Sequence, residues 1–226
     1  GQRMLITKGA PEGVLEACTR LELGPDGADA GDMTPELRAA VLDEFERLSS
    51  NGYRAVAVAY RTIGNGREVY SIADESNMTF VGYVSFVDPP KESTREALEQ
   101  AEALGVEIKI LTGDNELVTA RICERVGLKV KGVLMGQDVD ALDDSELAAR
   151  AEQATVCARL SPDQKDRIIA ALKRSGHVVG YMGDGINDAP SLRTADVGVS
   201  VSNAVDVARE AADIILLEEG LHVLET

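Results

Sequence analysis

The chain has 226 residues, a net charge of −16, and 44% hydrophobic against 27% charged residues. That is enough apolar material for one large globular domain or two small ones. An acidic balance of this size excludes a general nucleic-acid binder, because phosphate backbones need a basic face.

The first predicted element is a short strand at Met4-Leu-Ile-Thr7, which runs into Lys8-Gly9-Ala10-Pro11-Glu12. Pro11 suits the first turn of a helix reaching about Thr19. Residues 24–32 read as a loop, rich in Gly, Asp and Ala. Thr34-Pro35 opens a second helix, whose apolar face at Val41, Phe45 and Leu48 extends to about Ser50 and stops at Asn51-Gly52. Arg54–Tyr60 is expected as a buried strand, 64–77 as polar loop, and Thr79–Val87 as a strand closed by Asp88-Pro89-Pro90.

The rhythm then becomes strand–helix–strand–helix. Ser93-x-x-Glu96 has the pattern of a capping box for a helix ending at Gly105. Val106–Leu111 is expected as a strand, Asp114–Val126 as a helix stopped by Gly127, and Ser145–Gln153 as a helix. Ala154–Leu160 is a predicted strand, and Ser161-Pro162 caps a helix that ends at Gly176. His177–Met182 is read as a buried strand, with further strands at Val197–Val201 and Ile214–Leu217 around a helix over Ala204–Ala211. Alternating β and α units imply an α/β fold with a parallel sheet covered on both faces. The domain boundary is placed near the double proline.

The cysteines Cys18, Cys123 and Cys157 form no Cys-x-x-Cys pair, so they read as reduced core thiols of a cytosolic protein. Gly1-Gln-Arg-Met-Leu5 looks like the middle of a strand, not a signal peptide. No apolar run approaches the ~18 residues that would span a bilayer.

The chemistry concentrates in Gly183-Asp-Gly-Ile-Asn-Asp-Ala-Pro190, directly behind an apolar run. Two carboxylates and an amide stand at the carboxyl end of a predicted strand, where open α/β sheets bind ligands. Hard oxygen donors of this kind suit a magnesium ion that carries phosphate oxygens. A strand-to-helix turn rich in Gly, Asn and Asp is the plain alternative. Leu111-Thr112-Gly113-Asp114 offers a hydroxyl and helix-start N–H groups to a phosphate, or simply an N-cap. Ser161-Pro-Asp-Gln-Lys165 sets a cation in a first helical turn against the dipole, which makes sense if the lysine reaches an anion; a solvated lysine is the common alternative. Together Thr112, Lys165, Asp184 and Asp188 would neutralise a transferring phosphoryl group.

This set resembles motifs two, three and four of the haloacid dehalogenase superfamily. More narrowly, Lys8-Gly-Ala-Pro-Glu12, Asp88-Pro-Pro-Lys91, Thr112-Gly-Asp114 and Gly183–Pro190 resemble the cytoplasmic signatures of P-type cation-transporting ATPases, in the family's order and over nearly the whole chain. Asp184 to Glu218 looks most like the magnesium-transporting branch; calcium-pump-like and proton-pump-like branches stay open. The resemblance implies a haloacid dehalogenase-like Rossmannoid sheet over 87–226, the C-terminal part of a phosphorylation domain. Residues 1–86 would be the C-terminal part of an α+β nucleotide-binding domain. Lys8, with Gly9, would lie by the adenosine of ATP. Asp88 and Lys91 would help to hold the nucleotide, with Lys91 where the family often has arginine; lysine supplies charge but no bidentate fork. Thr112, Gly113 and Asp114 would face the phosphate and Lys165 would contact its oxygens. Asp184 would bind Mg2+, and Asn187 and Asp188 would orient the phosphate and the metal shell, Asp188 also as a metal ligand.

The family's nucleophile lies in Asp-Lys-Thr-Gly-Thr, and this pentapeptide is absent from the sequence, as is the Thr-Gly-Glu-Ser loop. The acidic clusters Asp26–Asp32 and Asp138–Asp144 look loop-like and lack an apolar lead-in. The chain therefore reads as a cytoplasmic piece of a pump. Its partners would be ATP and the rest of the parent at the cytoplasmic face of the cell membrane: nucleophile segment, actuator domain and membrane helices. Alone it is expected to be inactive, since covalent catalysis needs the nucleophile. Loss of a strand that is central in the family would leave open sheet edges and favour self-association. A soluble phosphatase of the same superfamily and a non-catalytic nucleotide- or metal-binding module are the alternatives. His177 and His222 show no partner for metal or acid–base work, and His177 is read as structural.

Overall fold

The structure, a computed structural model, describes residues 3–24, 29–64 and 69–217. Asp26, Glu218 and His222, named above, lie outside the described residues. The chain divides into two units, Gly1–Asp88 and Pro89–Thr226.

Among the described residues, the first unit is a mixed five-stranded sheet with two α-helices and a 3-10 turn over Ile72–Asp74. Strand β1 (Arg3–Gly9) alternates cleanly, with Leu5 and Thr7 turned inward and Met4, Ile6 and Lys8 exposed. Pro11 opens helix α1 (Pro11–Glu16), which buries Val14 and Leu15. The chain then turns directly into β2 (Cys18–Glu22) and β3 (Ala30–Asp32), where the sequence reading has a helix to Thr19 and a loop over 24–32. Their pairing is non-local. Arg38 donates to the carbonyls of Leu15 (2.6 Å) and Cys18 (2.8 Å), and so fixes the break between helix and strand. Helix α2 (Pro35–Ser50) is capped by the Thr34 hydroxyl, which accepts from the Leu37 amide, and it buries Phe45. Strands β4 (Arg54–Ile63) and β5 (Met78–Phe86) complete the order β1-β4-β5-β2-β3, antiparallel except for the β5–β2 pair. Val14, Leu15, Cys18, Ala57, Ala59, Met78 and Phe80 form the core under one face.

The second unit carries two parallel three-stranded sheets. Helix α3 (Thr94–Ala103) precedes β6 (Ile110–Leu111); helix α4 (Glu116–Val126) precedes β7 (Val133–Met135) and α5 (Gly136–Ala141). Next come α6 (Asp144–Gln153), β8 (Val156–Ala158), α7 (Pro162–Arg174) and β9 (Gly180–Met182). The segment ends with α8 (Ala189–Thr194), β10 (Val197–Val201), α9 (Asp206–Ala211) and β11 (Ile214–Leu216). The sheet orders are β6-β8-β7 and β9-β10-β11. Both are parallel throughout, as βαβ crossovers demand. One core cluster holds Leu134, Leu147, Cys157 and Ile168, a second holds Ile169, Tyr181 and Leu192, and both are packed by Leu111 and Val179.

Several expectations are corrected here. Ser93 lies in the helical region and makes no side-chain cap, because a turn from the Thr94 amide to the Lys91 carbonyl (3.1 Å) already precedes the helix. The strand expected over Val106–Leu111 is ordered as a ladder only at Ile110–Leu111, and the one over His177–Met182 only at Gly180–Met182. Each of these strands has one neighbour among the described residues, so its first half has no ladder to join. His177 is exposed, not buried, and stands 3.0 Å from Glu152. Residues 138–144 are not a loop: Asp138 and Asp140 lie in α5, and Asp143 caps α6 by accepting from the Ser145 and Glu146 amides. Cys18, Cys123 and Cys157 are buried free thiols, and burial pushes Cys157 up to about 11. Among the described residues no helix is long and apolar enough to cross a membrane.

Gly198 allows β10 to pass close to α8, for a Cβ there would meet the Leu192 carbonyl oxygen at 2.5 Å. Gly198→Ala should therefore lower the unfolding free energy by about 1–3 kcal/mol, the usual cost of overpacking. Urea denaturation is expected to show a lower midpoint with an unchanged slope.

Candidate functional site

In the second unit, loops at the carboxyl ends of the parallel strands are fastened to one another. After β6, the Thr112 hydroxyl accepts from the Asp114 amide at 3.0 Å, and Asn115, not Asp114, caps α4 by accepting from the Leu117 amide at 2.7 Å. The Thr112 hydroxyl thus belongs to a turn two residues ahead of the helix. After β8, the Arg159 amide donates to the Asp114 carbonyl (2.9 Å) and the Leu160 amide to the Thr112 carbonyl (3.0 Å). Gly113 lies close to this crossing, where a Cβ would be 3.3 Å from the Leu160 oxygen, a tight approach. Arg159 adopts φ +54°, a left-handed conformation that non-glycine residues visit rarely. Its Nε donates to Glu116 at 2.7 Å, which joins the same two segments again.

Ser161 and Gln164 form a reciprocal cap at the start of α7, with the Gln164 amide donating to the Ser161 hydroxyl and the Ser161 amide to the Gln164 side chain. This places Lys165, whose Nζ donates to Asp188 Oδ1 at 2.8 Å. The two side chains are 15% and 13% exposed, so the pair is largely withdrawn from water. Asp188 Oδ1 also accepts from the Tyr181 hydroxyl at 2.8 Å, and Oδ2 accepts from the Gly185 amide at 3.1 Å. Burial opposes charge on Asp188, but these hydrogen bonds from Lys165, Tyr181 and Gly185, together with the Lys165 charge, hold its carboxyl below the ordinary aspartate value. Burial, followed by the bond to Asp188, raises the Tyr181 phenol, which stays a donor.

Asp184 differs from Asp188 in every respect. Its carbonyl accepts from the Val205 amide (3.1 Å), while its carboxylate is exposed and makes no hydrogen bond or ion pair among the described residues. Gly183 holds the backbone beneath it through its amide to the Val199 carbonyl (3.1 Å) and its carbonyl to the Ser200 hydroxyl (2.8 Å). Asn187 is exposed in a 3-10 turn over Ile186–Asp188. No group of three His, Cys, Asp or Glu side chains that could cage a metal occurs among the described residues. Of the carboxylates in this turn, the exposed Asp184 and the Oδ2 lone pair that the three donors leave on Asp188 are what could take part in holding a cation.

The first unit holds Lys8, Gly9 and Asp88. Lys8 is exposed on the open sheet face with Met4 and Ile6, in register with Val58 of β4, which in turn faces Gly82 of β5. A Cβ at Gly82 would meet nothing within 4 Å, so the face is unobstructed there. Gly9 pairs with Ala57 at the end of the strand. Asp88 is exposed, with Arg54 at 3.9 Å and the Arg54 guanidinium 5.9 Å from the Phe86 ring centre. Lys91, in the second unit, is exposed. Thus Thr112 and Asp114 are bonded to the segment that leads into α7, Lys165 in the first turn of α7 is bonded to Asp188, and Asp184 and Asn187 share the turn with Asp188. Sequence reasoning missed Tyr181, Glu116, Arg159 and the Gly185 amide. Only the spacing of Tyr181, seven residues before Asp188, was legible, and it carries no motif of its own.

The family model described as P-type ATPase, cytoplasmic domain N, matches residues 1–93. The chain is 48% identical over 221 residues to the magnesium-transporting ATPase, P-type 1, of Escherichia coli K12, covering 98% of this chain and 24% of that protein. It is 49% identical over 221 residues to the protein of the same name from Salmonella typhimurium 14028s, with the same coverage. The calcium-transporting ATPase 1 of Lactococcus lactis is 32% identical over 221 residues, 97% of this chain and 25% of that protein. The chain spans about a quarter of the length of these relatives.

Two predictions follow from the geometry. Gly183→Ala would set a Cβ 2.5 Å from Asp188 Cβ; the carboxylate should shift and the Lys165 bond break, seen as displacement of the Lys165 ammonium resonance. The second concerns acid. Burial works against the Glu116 charge, but the Arg159 hydrogen bond, the helix-start amide and the Arg159 charge outweigh it and depress its carboxyl. A depressed folded-state value adds stability that is complete above the unfolded value of about 4.3 and is lost as pH falls through the lower folded value. Wild type should exceed Glu116→Gln at pH 7 by under about 1 kcal/mol, the scale of a partly exposed pair. The gap should close below about pH 4 in parallel denaturation curves. A gap that widens in acid contradicts the assignment.

Proposed function

We propose that the chain belongs to the P-type cation-transporting ATPases and is the part of a magnesium-transporting pump that binds ATP and Mg2+ and surrounds the phosphoryl group during its transfer to a carboxylate elsewhere in the parent. The observation that carries this reading is the bonding of the Thr112–Asp114 loop to the segment leading into α7, and of Lys165 to Asp188, with the Asp184 carboxylate in the same turn making no bond among the described residues. The second unit is read as a haloacid dehalogenase-like Rossmannoid phosphorylation domain, and the first as part of a nucleotide-binding domain.

The purine would lie on the open face near Lys8 and Gly9, beside the exposed apolar side chains of Met4 and Ile6. Asp88 and Lys91 would help to hold the nucleotide. Thr112, Gly113 and Asp114 would face the transferring phosphoryl group with a hydroxyl and loop amides. Lys165 spends one of its three protons on Asp188 and would offer the others to phosphoryl oxygens. Asp184 and the remaining Oδ2 lone pair of Asp188 would hold Mg2+, with Asn187 ordering the outer shell. When bound, Mg2+ supplies charge screening for the phosphoryl oxygens. The acceptor carboxylate would come from an Asp-Lys-Thr-Gly-Thr segment elsewhere in the parent polypeptide. Its strand would pair with the open edges of β6 and β9; self-association through those edges is the alternative use. The parent would act at the cytoplasmic face of a membrane, with its membrane helices and actuator domain as partners.

With Mg2+ and radiolabelled ATP, this chain should acquire no acid-stable, hydroxylamine-sensitive label. Label would mean that a carboxylate within it is the nucleophile, and the division of the site proposed here would be wrong. Nucleotide binding should persist without turnover. Lys8→Ala should weaken ATP by about tenfold, the loss of a charge-assisted contact, in a calorimetric titration. An unchanged affinity removes Lys8 from the site.

A further inference from the structure

We propose that Tyr181 is a positioning residue of the phosphoryl site, whose hydroxyl shares the Asp188 carboxylate with Lys165 and keeps the lysine ammonium available to an anion. The inference rests on the reading of Gly183–Asp188 as a magnesium and phosphoryl site.

Tyr181 is the middle residue of β9, and its ring is buried in the second core cluster with Ile169, Ala189 and Leu192. Packing fixes the ring, and the ring fixes the hydroxyl 2.8 Å from Asp188 Oδ1. The same oxygen accepts from Lys165 Nζ at 2.8 Å, so its two lone pairs are both engaged. The Gly185 amide takes one lone pair of Oδ2. Gly183 leaves free the space that the Asp188 side chain occupies, since a Cβ there would lie 2.5 Å from Asp188 Cβ. The carboxylate is therefore held by three donors, and a single Oδ2 lone pair is left over.

The hydroxyl has an electrostatic consequence. By donating to Oδ1 it draws charge from the carboxylate and weakens its hold on the ammonium in a site partly shielded from water. Without the hydroxyl, Asp188 would bind Lys165 more tightly and also expose a free lone pair. Anion affinity should fall, and cation affinity should rise. A residue that merely filled space would move both in the same direction or neither.

The test uses the full 226-residue chain, wild type and Tyr181→Phe, which keeps the ring and removes one oxygen. Mg2+ alone and inorganic phosphate alone are titrated in separate experiments, each followed through the amide resonances of Gly183, Asp184 and Gly185. Tyr181→Phe should bind Mg2+ about three- to tenfold more tightly and phosphate weaker by a similar factor, the scale of one redistributed hydrogen bond to a charged group. The Mg2+ gain should vanish when Asp188→Asn is added. Equal affinities in wild type and Tyr181→Phe overturn the inference while leaving the site reading intact. A wild-type chain that moves with neither probe overturns the site reading itself, and this inference with it. A ligand-independent check is the exchange rate of the Tyr181 hydroxyl proton, which should be slow in wild type and fast in Asp188→Ala. Equal rates mean that the bond is not made, and the inference falls.

Discussion

The ion pair between Lys165 and Asp188 is the constraint on which the second unit's site depends. It ties the first turn of α7 to the turn after β9 across 2.8 Å. On the other side, backbone bonds tie the segment leading into α7 to the Thr112–Asp114 loop. Segments distant in sequence are thereby held in one arrangement, each link a hydrogen bond with a named donor. Removing either partner would leave an uncompensated charge in a nearly enclosed place, a cost of about 3–5 kcal/mol for buried pairs. The pair therefore sets geometry more than it adds stability, because well-packed apolar side chains of similar volume would stabilise the fold as well.

Parallel strands make this convergence possible. Every strand of the second unit points its carboxyl end the same way within its sheet, so the loops that follow β6, β8 and β9 can carry polar side chains without interrupting the core. Close approach does the rest. Gly113 and Gly183 stand where a Cβ would press on Leu160 or Asp188, and this lets loops cross at backbone distance. Leu111 and Val179 pack against both core clusters, so β6 and β9 are coupled through side chains although each has only one ladder partner among the described residues.

Elements whose signals are local were legible in the sequence. Thr34-Pro35, Ser161-Pro162 and Gly127 fall at helix ends, because cap chemistry involves only neighbouring residues. What depends on distant partners was not. Strand β2 exists because Met78 and Arg38 hold it, and Cys18-Thr19 alone reads as the tail of a helix. Strand β7 exists through its pairing with β8. Ser93 satisfies the capping pattern and fails in fact, since the backbone before it had already turned. At the site, the motifs single out Thr112, Lys165, Asp184 and Asp188 from sequence alone, but the placing of Tyr181 and Arg159 arises from packing and a left-handed backbone, which no spacing announces.

The two aspartates of the Gly183–Pro190 segment, four residues apart, have been given opposite environments. Asp188 is partly buried and held by three donors; Asp184 is exposed, with its carboxylate unengaged among the described residues. A divalent cation gains most from the second kind, which loses no protein partner on binding, whereas the first kind is spent on holding a lysine. In a chain of net charge −16, an incoming polyanion meets an unfavourable overall field. Local charge must reverse it, and Lys165 can do so only if Asp188 neutralises it incompletely. Sharing that carboxylate among several donors is a direct physical route to incomplete neutralisation, and a cation at Asp184 would complete the reversal on the other side of the same turn.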